Sequence, residues 1–391
     1  MGLGLYIHIP FCKQRCSYCD FVSYANKNHL MEPYIKALKK EISSKTVDRM
    51  ISTIFIGGGT PTALNDELFE DVLHFIKENI KLTQDYEFTV EANPESVTRQ
   101  KAKIMKMNGV NRISMGLQAT NDILLKNIGR IHDLKTFNQA YKLLKEEGFE
   151  NINLDLITGL PGQTPGDIIK TLEFIEVTDP LHISVYSLIL EEGTPMYLSV
   201  EKGIVTLPTE DADREFQDIM REGLERLGYI RYEISNYAKL GFECIHNINY
   251  WRTGEYVGVG VSASGFDNSV RYVNTSSMET YINTVEAGED PASETHINTF
   301  EDDVEEFIFM GLRMTEGTSA EEFYQRFNAD LFDFYGEVIK KYIESGHLKF
   351  EKGRLSLTSK GFDISNYILS DFMLTKYEYE NQEDEKKDPE P

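Results

Sequence analysis

The chain has 391 residues, 41% of them hydrophobic with 22 phenylalanines, which is ample for a large buried core. Its formal net charge of −24 excludes non-specific nucleic-acid binding, which runs on basic patches. No secretory leader is legible and no apolar run reaches the roughly 18 residues of a membrane span, so a cytoplasmic protein with reduced thiols is expected.

The first element, "LGLYIHIP", predicts a strand by alternation, with Leu3, Leu5, Ile7 and Ile9 on one side and Tyr6 and His8 on the other. Three of the four cysteines follow at once, Cys12, Cys16 and Cys19, spaced C-x3-C-x2-C. Residues 32–45 predict a helix, "STIFIGGG" a strand, 66–80 a helix, "EFTVEANP" a strand and 98–108 a helix. "RISMGLQ", "NINLDLITG" and "HISVYSLIL" predict further strands, separated by helical stretches near 120–129, 134–147 and 165–177. Strand–helix units of roughly thirty residues imply a parallel sheet, hence an α/β fold. A partial (β/α)6 barrel is favoured; an open doubly wound sheet is the alternative.

Strand parity carries more. Phe88 and Val90 oppose Thr89 and Glu91; Ile113, Met115 and Leu117 oppose Ser114, Gly116 and Gln118; Ile152, Leu154 and Leu156 oppose Asn153 and Asp155. The apolar sides would pack on helices and the polar sides would line the barrel, where branched apolar residues are the rule. Glu91, Gln118 and Asp155 therefore form one candidate constellation near the C-terminal ends of three strands. The competing reading is three solvated strand ends.

After Leu190 the pattern changes. "LEEGTPMYL" reads as a turn-rich connector, 211–227 as a helix, and "YEISNYAKLGFECIHNINYW" leads into the glycine-rich "EYVGVGVSASGF". Helices at 304–314 and 331–345, a hairpin over "GHLKFEKGRLSLTSKG" and a helix from about 359 predict a smaller α+β part with a winged-helix-like module. The expected organisation is a barrel core over 1–235, a connecting segment over 236–300, this module over 301–372 and an acidic, disordered tail over 373–391.

The cysteine cluster fits three quarters of a zinc site, three ligands of an iron–sulfur cluster, or a redox motif. Structural zinc wants four closed ligands, and the remaining cysteine, Cys244, is far away in sequence. A cubane iron–sulfur cluster held by three thiolates keeps one iron open for another ligand.

At this point the chain resembles the radical S-adenosylmethionine (SAM) family. There a [4Fe–4S] cluster held by such a loop binds SAM at its open iron. The match extends through "LYIHIPFC", "GGGTPTAL", "EANPES", "SMGLQ", "NIGRIHD" and "LDLITGLPGQT", which together resemble the oxygen-independent coproporphyrinogen III oxidase (coproporphyrinogen dehydrogenase) group and its relatives. The resemblance implies that Cys12, Cys16 and Cys19 hold the cluster and that Tyr6 and Tyr18 border SAM. It implies that Gly58, Gly59 and Thr60 take the amino-acid end of SAM, that Glu91 holds its ribose or amino group, and that Gln118, Arg130 and Asp155 complete the site.

Two departures separate the chain from the oxidases. Those enzymes carry a further cysteine where Phe21 stands, and a longer N-terminal extension. Both differences, with "HNINYW" at 246–251, are similar to the HemW-type heme chaperones. That branch implies heme as cargo, with the acceptor protein unspecified and a peripheral membrane contact left open. His246, Tyr250 and Trp251 are the candidate heme residues, His246 as iron ligand and the two rings as a porphyrin face. Cys244 is a further candidate ligand. The alternative reading has His246 bonded in a turn, Tyr250 and Trp251 packed in the core, and Cys244 a small buried thiol. Three functions stay open: a heme chaperone, a coproporphyrinogen oxidase that turns propionates into vinyl groups, and a non-catalytic winged-helix binding protein. No catalytic residue is assigned.

Overall fold

The computed structural model describes residues 2–374; the acidic tail lies outside the described residues from 375 onward. Six parallel strands form the centre: β1 (Leu3–Ile9), β2 (Met50–Gly58), β3 (Lys81–Ala92), β4 (Arg112–Gln118), β5 (Asn151–Thr158) and β6 (His182–Ser187). Their order in the sheet is their order in the chain. A doubly wound sheet reverses its strand order at a switch point, so sequential order decides for the barrel arrangement.

The connecting helices are α1 (Met31–Lys45), α2 (Asp66–Asn79), α3 (Arg99–Met107), α4 (Asp122–Asn127), α5 (Leu134–Glu146) and α6 (Pro165–Thr178). Side-chain caps start them where the sequence supplies Asn, Thr or Asp: Asn65 accepts from Leu68 N, Thr98 from Lys101 N, Asp133 from Thr136 N, and Thr164 closes a capping box with Asp167. Beyond β6 lies α7 (Pro195–Glu201), where only a connector was expected. Thr194 caps it and Pro195 occupies its first turn, a start signal hidden in a segment that reads as turns. Helix α8 (Glu210–Arg226) follows as expected.

Both sheet edges are extended. On one side β6 pairs antiparallel with β8 (Asn236–Ala238), which pairs with β7 (Ile230–Arg231). After α9 (Ile245–Trp251), β9 (Tyr256–Val259) adds parallel to β1. It is followed by β10 (Ser264–Asp267), β11 (Val270–Asn274), helix α10 (Met278–Glu286) and β12 (Ala292–Ile297). Residues 255–296, expected to connect domains, thus continue the main sheet.

Strand parity is realised. Phe88, Val90, Ile113, Met115, Leu117, Ile152, Leu154 and Leu156 are all buried in the main hydrophobic core. The opposite sides are polar and buried as well, with Thr53, Glu87, Thr89, Arg112, Ser114, Asn153, His182 and Ser184. Asn153 is the hub of one such group. It accepts from Ser184 Oγ at 3.1 Å, pairs with His182 Nδ1 at 2.6 Å, and donates to Ser114 Oγ and Asp155 Oδ1, each at 2.8 Å.

The described residues divide into two compact units: 2–231, 235–246 and 255–296 form one, and 232–234, 247–254 and 297–374 the other. The second unit has its own core, including Val304, Ile308, Phe323, Tyr335 and Leu355. It contains α11 (Phe300–Gly311), β13 (Thr318–Ser319), α12 (Ala320–Phe327), α13 (Leu331–Glu344), β14 (Leu348–Glu351), β15 (Arg354–Leu357), α14 (Ser359–Asp363) and α15 (Ser365–Ser370). The expected hairpin is β14–β15, turned by Lys352 and Gly353, both at positive φ. Helix α12 escaped the sequence reading because it is only eight residues long. Among the described residues, no helix is long and apolar enough to cross a membrane.

A buried carboxylate fastens the late strands to the first helix. Glu41 of α1 accepts from Gly260 N at 2.8 Å, Asn274 Nδ2 at 2.8 Å and Tyr281 Oη at 2.5 Å, with Lys45 Nζ at 3.0 Å. Removing it strands three donors in a dry place. Glu41→Ala should therefore cost about 3–5 kcal/mol, read as a lowered denaturant midpoint. An unchanged midpoint would show that strand pairing alone holds 256–286.

Candidate cofactor site

The cysteine loop is closed at its base. Phe11 and Tyr24 form an isolated bridge, Cys12 N donates to Tyr24 O at 3.1 Å, and Tyr24 N donates to Pro10 O at 2.7 Å. His8 adds a strut from below, its Nε2 donating to Val22 O at 2.8 Å. That bond fixes the tautomer, so Nδ1 accepts from the Tyr6 hydroxyl at 3.0 Å. Burial lowers His8 to about 4, which keeps the ring neutral. The loop's far side is pinned by Ser17, whose N–H donates to Ile128 O and whose carbonyl accepts from Met196 N.

The glycine-rich turn after β2 docks directly on this loop. Gly59 N donates to Ile9 O at 2.9 Å and Thr60 N to Phe11 O at 2.8 Å. Gly58 sits at φ 105°, and a Cβ there would stand 2.5 Å from the His8 ring; at Gly59 it would stand 2.9 Å from Phe11 O. The glycines are thus demanded by packing against the protein's own first strand and loop.

One cavity of about 470 Å3 gathers the candidates. Cys12, Cys16, Cys19, Tyr18, Gly58, Gly59, Thr60, Glu91, Gln118, Arg130 and Asp155 all line it. Tyr6 is not among the lining residues; its ring stacks on Phe55 at 6.3 Å. The sequence reading missed Asn93, which lines the cavity just past the end of β3, where strand parity no longer applies. Gln118 reaches in through a left-handed residue at φ 67°, with Ala119 N closing on Leu117 O at 2.9 Å.

None of the cysteines is in a disulfide. Among the described residues, no three His, Cys, Asp or Glu side chains converge as on a single metal ion. A cubane asks for something else, one thiolate to each of three irons, so its sulfurs stand apart. Burial, then the neighbouring Cys16 and Cys12, pushes Cys19 up to about 11. Burial likewise raises Cys12, against the hydrogen bond from Thr60. Two donors already point at the cysteine sulfurs. Thr60 Oγ1 lies 3.6 Å from Cys12 Sγ, and Arg130 Nη1 donates to Cys16 Sγ at 3.5 Å.

The same cavity is lined by two carboxyls. Burial, then the Asp155 charge, pushes Glu91 up to about 8, although it accepts from Gly58 N at 3.2 Å. Burial also raises Asp155, which accepts from Ser114 Oγ at 3.1 Å and from Asn153. A pair of crowded, half-buried carboxyls suits a ligand that brings positive charge, as the sulfonium and ammonium groups of SAM do.

His246 lies elsewhere. It is 1% exposed, its Nδ1 is 2.8 Å from Thr53 Oγ1, and its ring stacks on Phe55 at 5.3 Å. Burial lowers it to about 3. The Glu87 carboxylate accepts from the backbone N–H groups of Ile245 and His246, each at 3.0 Å, and from Cys244 Sγ at 3.4 Å. The expected heme ligand is thus a buried residue, and Cys244 is buried near it. Tyr250 and Trp251 are half-buried, Trp251 under the Arg313 guanidinium at 5.5 Å.

The Radical SAM superfamily model matches residues 6–175, and the HemN C-terminal domain model matches residues 299–364. The heme chaperone HemW of Bacillus subtilis (strain 168) is 38% identical over 372 residues, 94% of this chain and 98% of its own. This chain belongs to the HemW family of radical SAM proteins. The HemW of Escherichia coli (strain K12) is 39% identical over 270 residues, 67% of this chain and 70% of its own. The solved coproporphyrinogen III oxidase (HemN) from Escherichia coli, a radical SAM enzyme, superposes with a TM-score of 0.84. It has 22% identity and covers 95% of this chain and 90% of that one, so the two share a fold. Membership of the radical SAM family implies a [4Fe–4S] cluster and SAM, and the cavity has the residues to hold both.

Two outcomes follow from this geometry. Anaerobically reconstituted protein should hold about four irons per chain. Cys12→Ala, Cys16→Ala or Cys19→Ala should each abolish this, while Cys244→Ala should retain it; iron loss in Cys244→Ala would place a fourth protein ligand on the cluster. The second outcome concerns pH. A carboxyl whose folded value is raised favours the folded state at low pH and loses that contribution as pH climbs toward the folded value. Glu91→Gln removes the titration. Its thermal midpoint relative to the unsubstituted protein should therefore rise between pH 5 and pH 8, and a gap independent of pH would refute the raised value.

Proposed function

We propose that this chain carries heme and passes it to an acceptor protein, and that it does not oxidise coproporphyrinogen. The curated relatives that it matches along nearly their whole length are heme chaperones by name. Phe21 is the observation that carries the reading. It stands where the oxidases place a further cysteine, it is 62% exposed, and it lines the mouth of the cavity. Ile189 and Tyr186, 67% and 42% exposed, line the same cavity. An exposed apolar rim around a polar floor suits a flat macrocycle resting over the opening, with its face on the aromatic and aliphatic side chains.

Beneath that rim, the cluster and SAM, when bound, supply one-electron chemistry. The chain's own residues have other tasks. The backbone bonds of Cys12 and Tyr24 close the base of the loop whose three cysteines line the cavity. Glu91 and Asp155 present their carboxyls from the strand ends. A carrier must also let its cargo go, and an exposed rim holds less tightly than an enclosed slot.

The test is paired. Reduced, reconstituted protein incubated with SAM and coproporphyrinogen should give no vinyl products by chromatography. Heme titrated into Phe21→Asp should bind roughly ten- to hundredfold more weakly than to the unsubstituted protein, from the 1.5–3 kcal/mol of a buried phenylalanine. Vinyl products at a useful turnover would overturn the chaperone reading. Unchanged binding in Phe21→Asp, with loss of heme in a normally melting His246→Ala, would move the cargo to the 246–251 segment.

A further inference from the structure

Asn93 occupies a position between two donors that face two different cysteines. Its Oδ1 accepts from Arg130 Nη2 at 2.5 Å, and its Nδ2 donates to Thr60 Oγ1 at 2.7 Å. Arg130 also holds Gly116 O at 3.0 Å and reaches Cys16 Sγ at 3.5 Å. Thr60, 3% exposed, reaches Cys12 Sγ at 3.6 Å. The side chains thus form an unbroken sequence, Cys16–Arg130–Asn93–Thr60–Cys12.

The polarity of this sequence is forced. A guanidinium has donors only, so the amide atom facing Arg130 must be the oxygen. The amide nitrogen must then face Thr60 and donate to its hydroxyl. Having accepted there, Thr60 directs its single O–H at the sulfur of Cys12, which as a thiolate only accepts. Room for the arrangement comes from Gly116, where a Cβ would stand 2.9 Å from Arg130 Nη2 and 3.0 Å from Asn93 Oδ1.

We infer that Asn93 is a positioning residue that aims hydrogen bonds at two cluster thiolates, through Thr60 and Arg130, and thereby raises the reduction potential of the cluster. The physical ground is that reduction adds negative charge, and donors to the sulfurs stabilise the more negative state. Linked hydrogen bonds polarise one another, so Thr60 donates more strongly when Asn93 donates to it. The inference rests on the three cysteines holding a cluster, but not on heme as cargo.

The experiment is a redox titration of reconstituted, full-length protein, following the signal of the reduced cluster by electron paramagnetic resonance, with iron counted per chain. Asn93→Leu and Thr60→Val should keep their iron and shift the midpoint to more negative potential, while Thr60→Ser, which keeps the hydroxyl, should titrate near the unsubstituted protein. In the Thr60→Val background, Asn93→Leu should shift the midpoint less than it does alone, because one branch is already cut. Iron content reads the cluster assignment and the midpoint reads the role of Asn93, so the two fail separately. Unshifted midpoints in iron-loaded Asn93→Leu and Thr60→Val would overturn the inference. So would loss of iron in Asn93→Leu with an unshifted Thr60→Val, or fully additive shifts in the double variant.

Discussion

Two backbone hydrogen bonds, Gly59 N to Ile9 O and Thr60 N to Phe11 O, carry the cofactor site. They join the turn after the second strand to the loop after the first, so thiols and glycine turn become one rigid piece. Thr60 reaches Cys12 only because its backbone is held there. Glu91 reaches Gly58 only because the same turn is bent at φ 105°. Each contact is ordinary in strength, about 1 kcal/mol net for a neutral pair. Their effect is geometric, since every later element of the site is placed against this joint.

The barrel interior poses a second constraint. Apolar branched residues usually fill such an interior, yet here the polar sides of the strands bury Glu87, Asn153, His182 and, at 2% exposure, Arg112. Burial, and then the Arg112 charge, lowers both His182 and His246, and the same charge opposes the upward shifts of Glu91 and Asp155. A buried cation with several acidic groups around it is a way to keep carboxyls available to a cationic ligand without collapse of the sheet. It also explains where the histidine of "HNINYW" goes: it belongs to the polar filling, stacked on Phe55 beside Thr53.

Much of this was legible from the chain alone, for physical reasons. Period-two alternation in "EFTVEANP", "RISMGLQ" and "NINLDLITG" assigns each side chain to a face; Glu91 and Asp155 follow it into the cavity, whereas Gln118 lines the same cavity past a break in the register between β4 and β5. Asn93 was not legible, because parity lapses once the strand ends and an asparagine after a strand ordinarily means a turn. His246 was misplaced for a related reason: a motif supplies a residue type, but whether its ring meets solvent depends on strands almost two hundred residues away. Helix α7 hid behind Gly, Thr and Pro, residues shared by turns and helix starts. The glycines of "GGGTPT" were found, but they make room for His8 and the first loop.

The first strand acquires its second neighbour very late. β1 pairs with β2 on one edge and with β9, residues 256–259, on the other. During synthesis, that outer edge stays open until two-thirds of the chain has left the ribosome. An unpaired strand edge is a template for wrong partners, and loop closure over such a span is slow. The cysteine loop hangs from this strand, so metal loading on a nascent chain would meet a sheet still lacking one border. The second border of the strand that carries the cysteines can thus form only after all six central strands have been made.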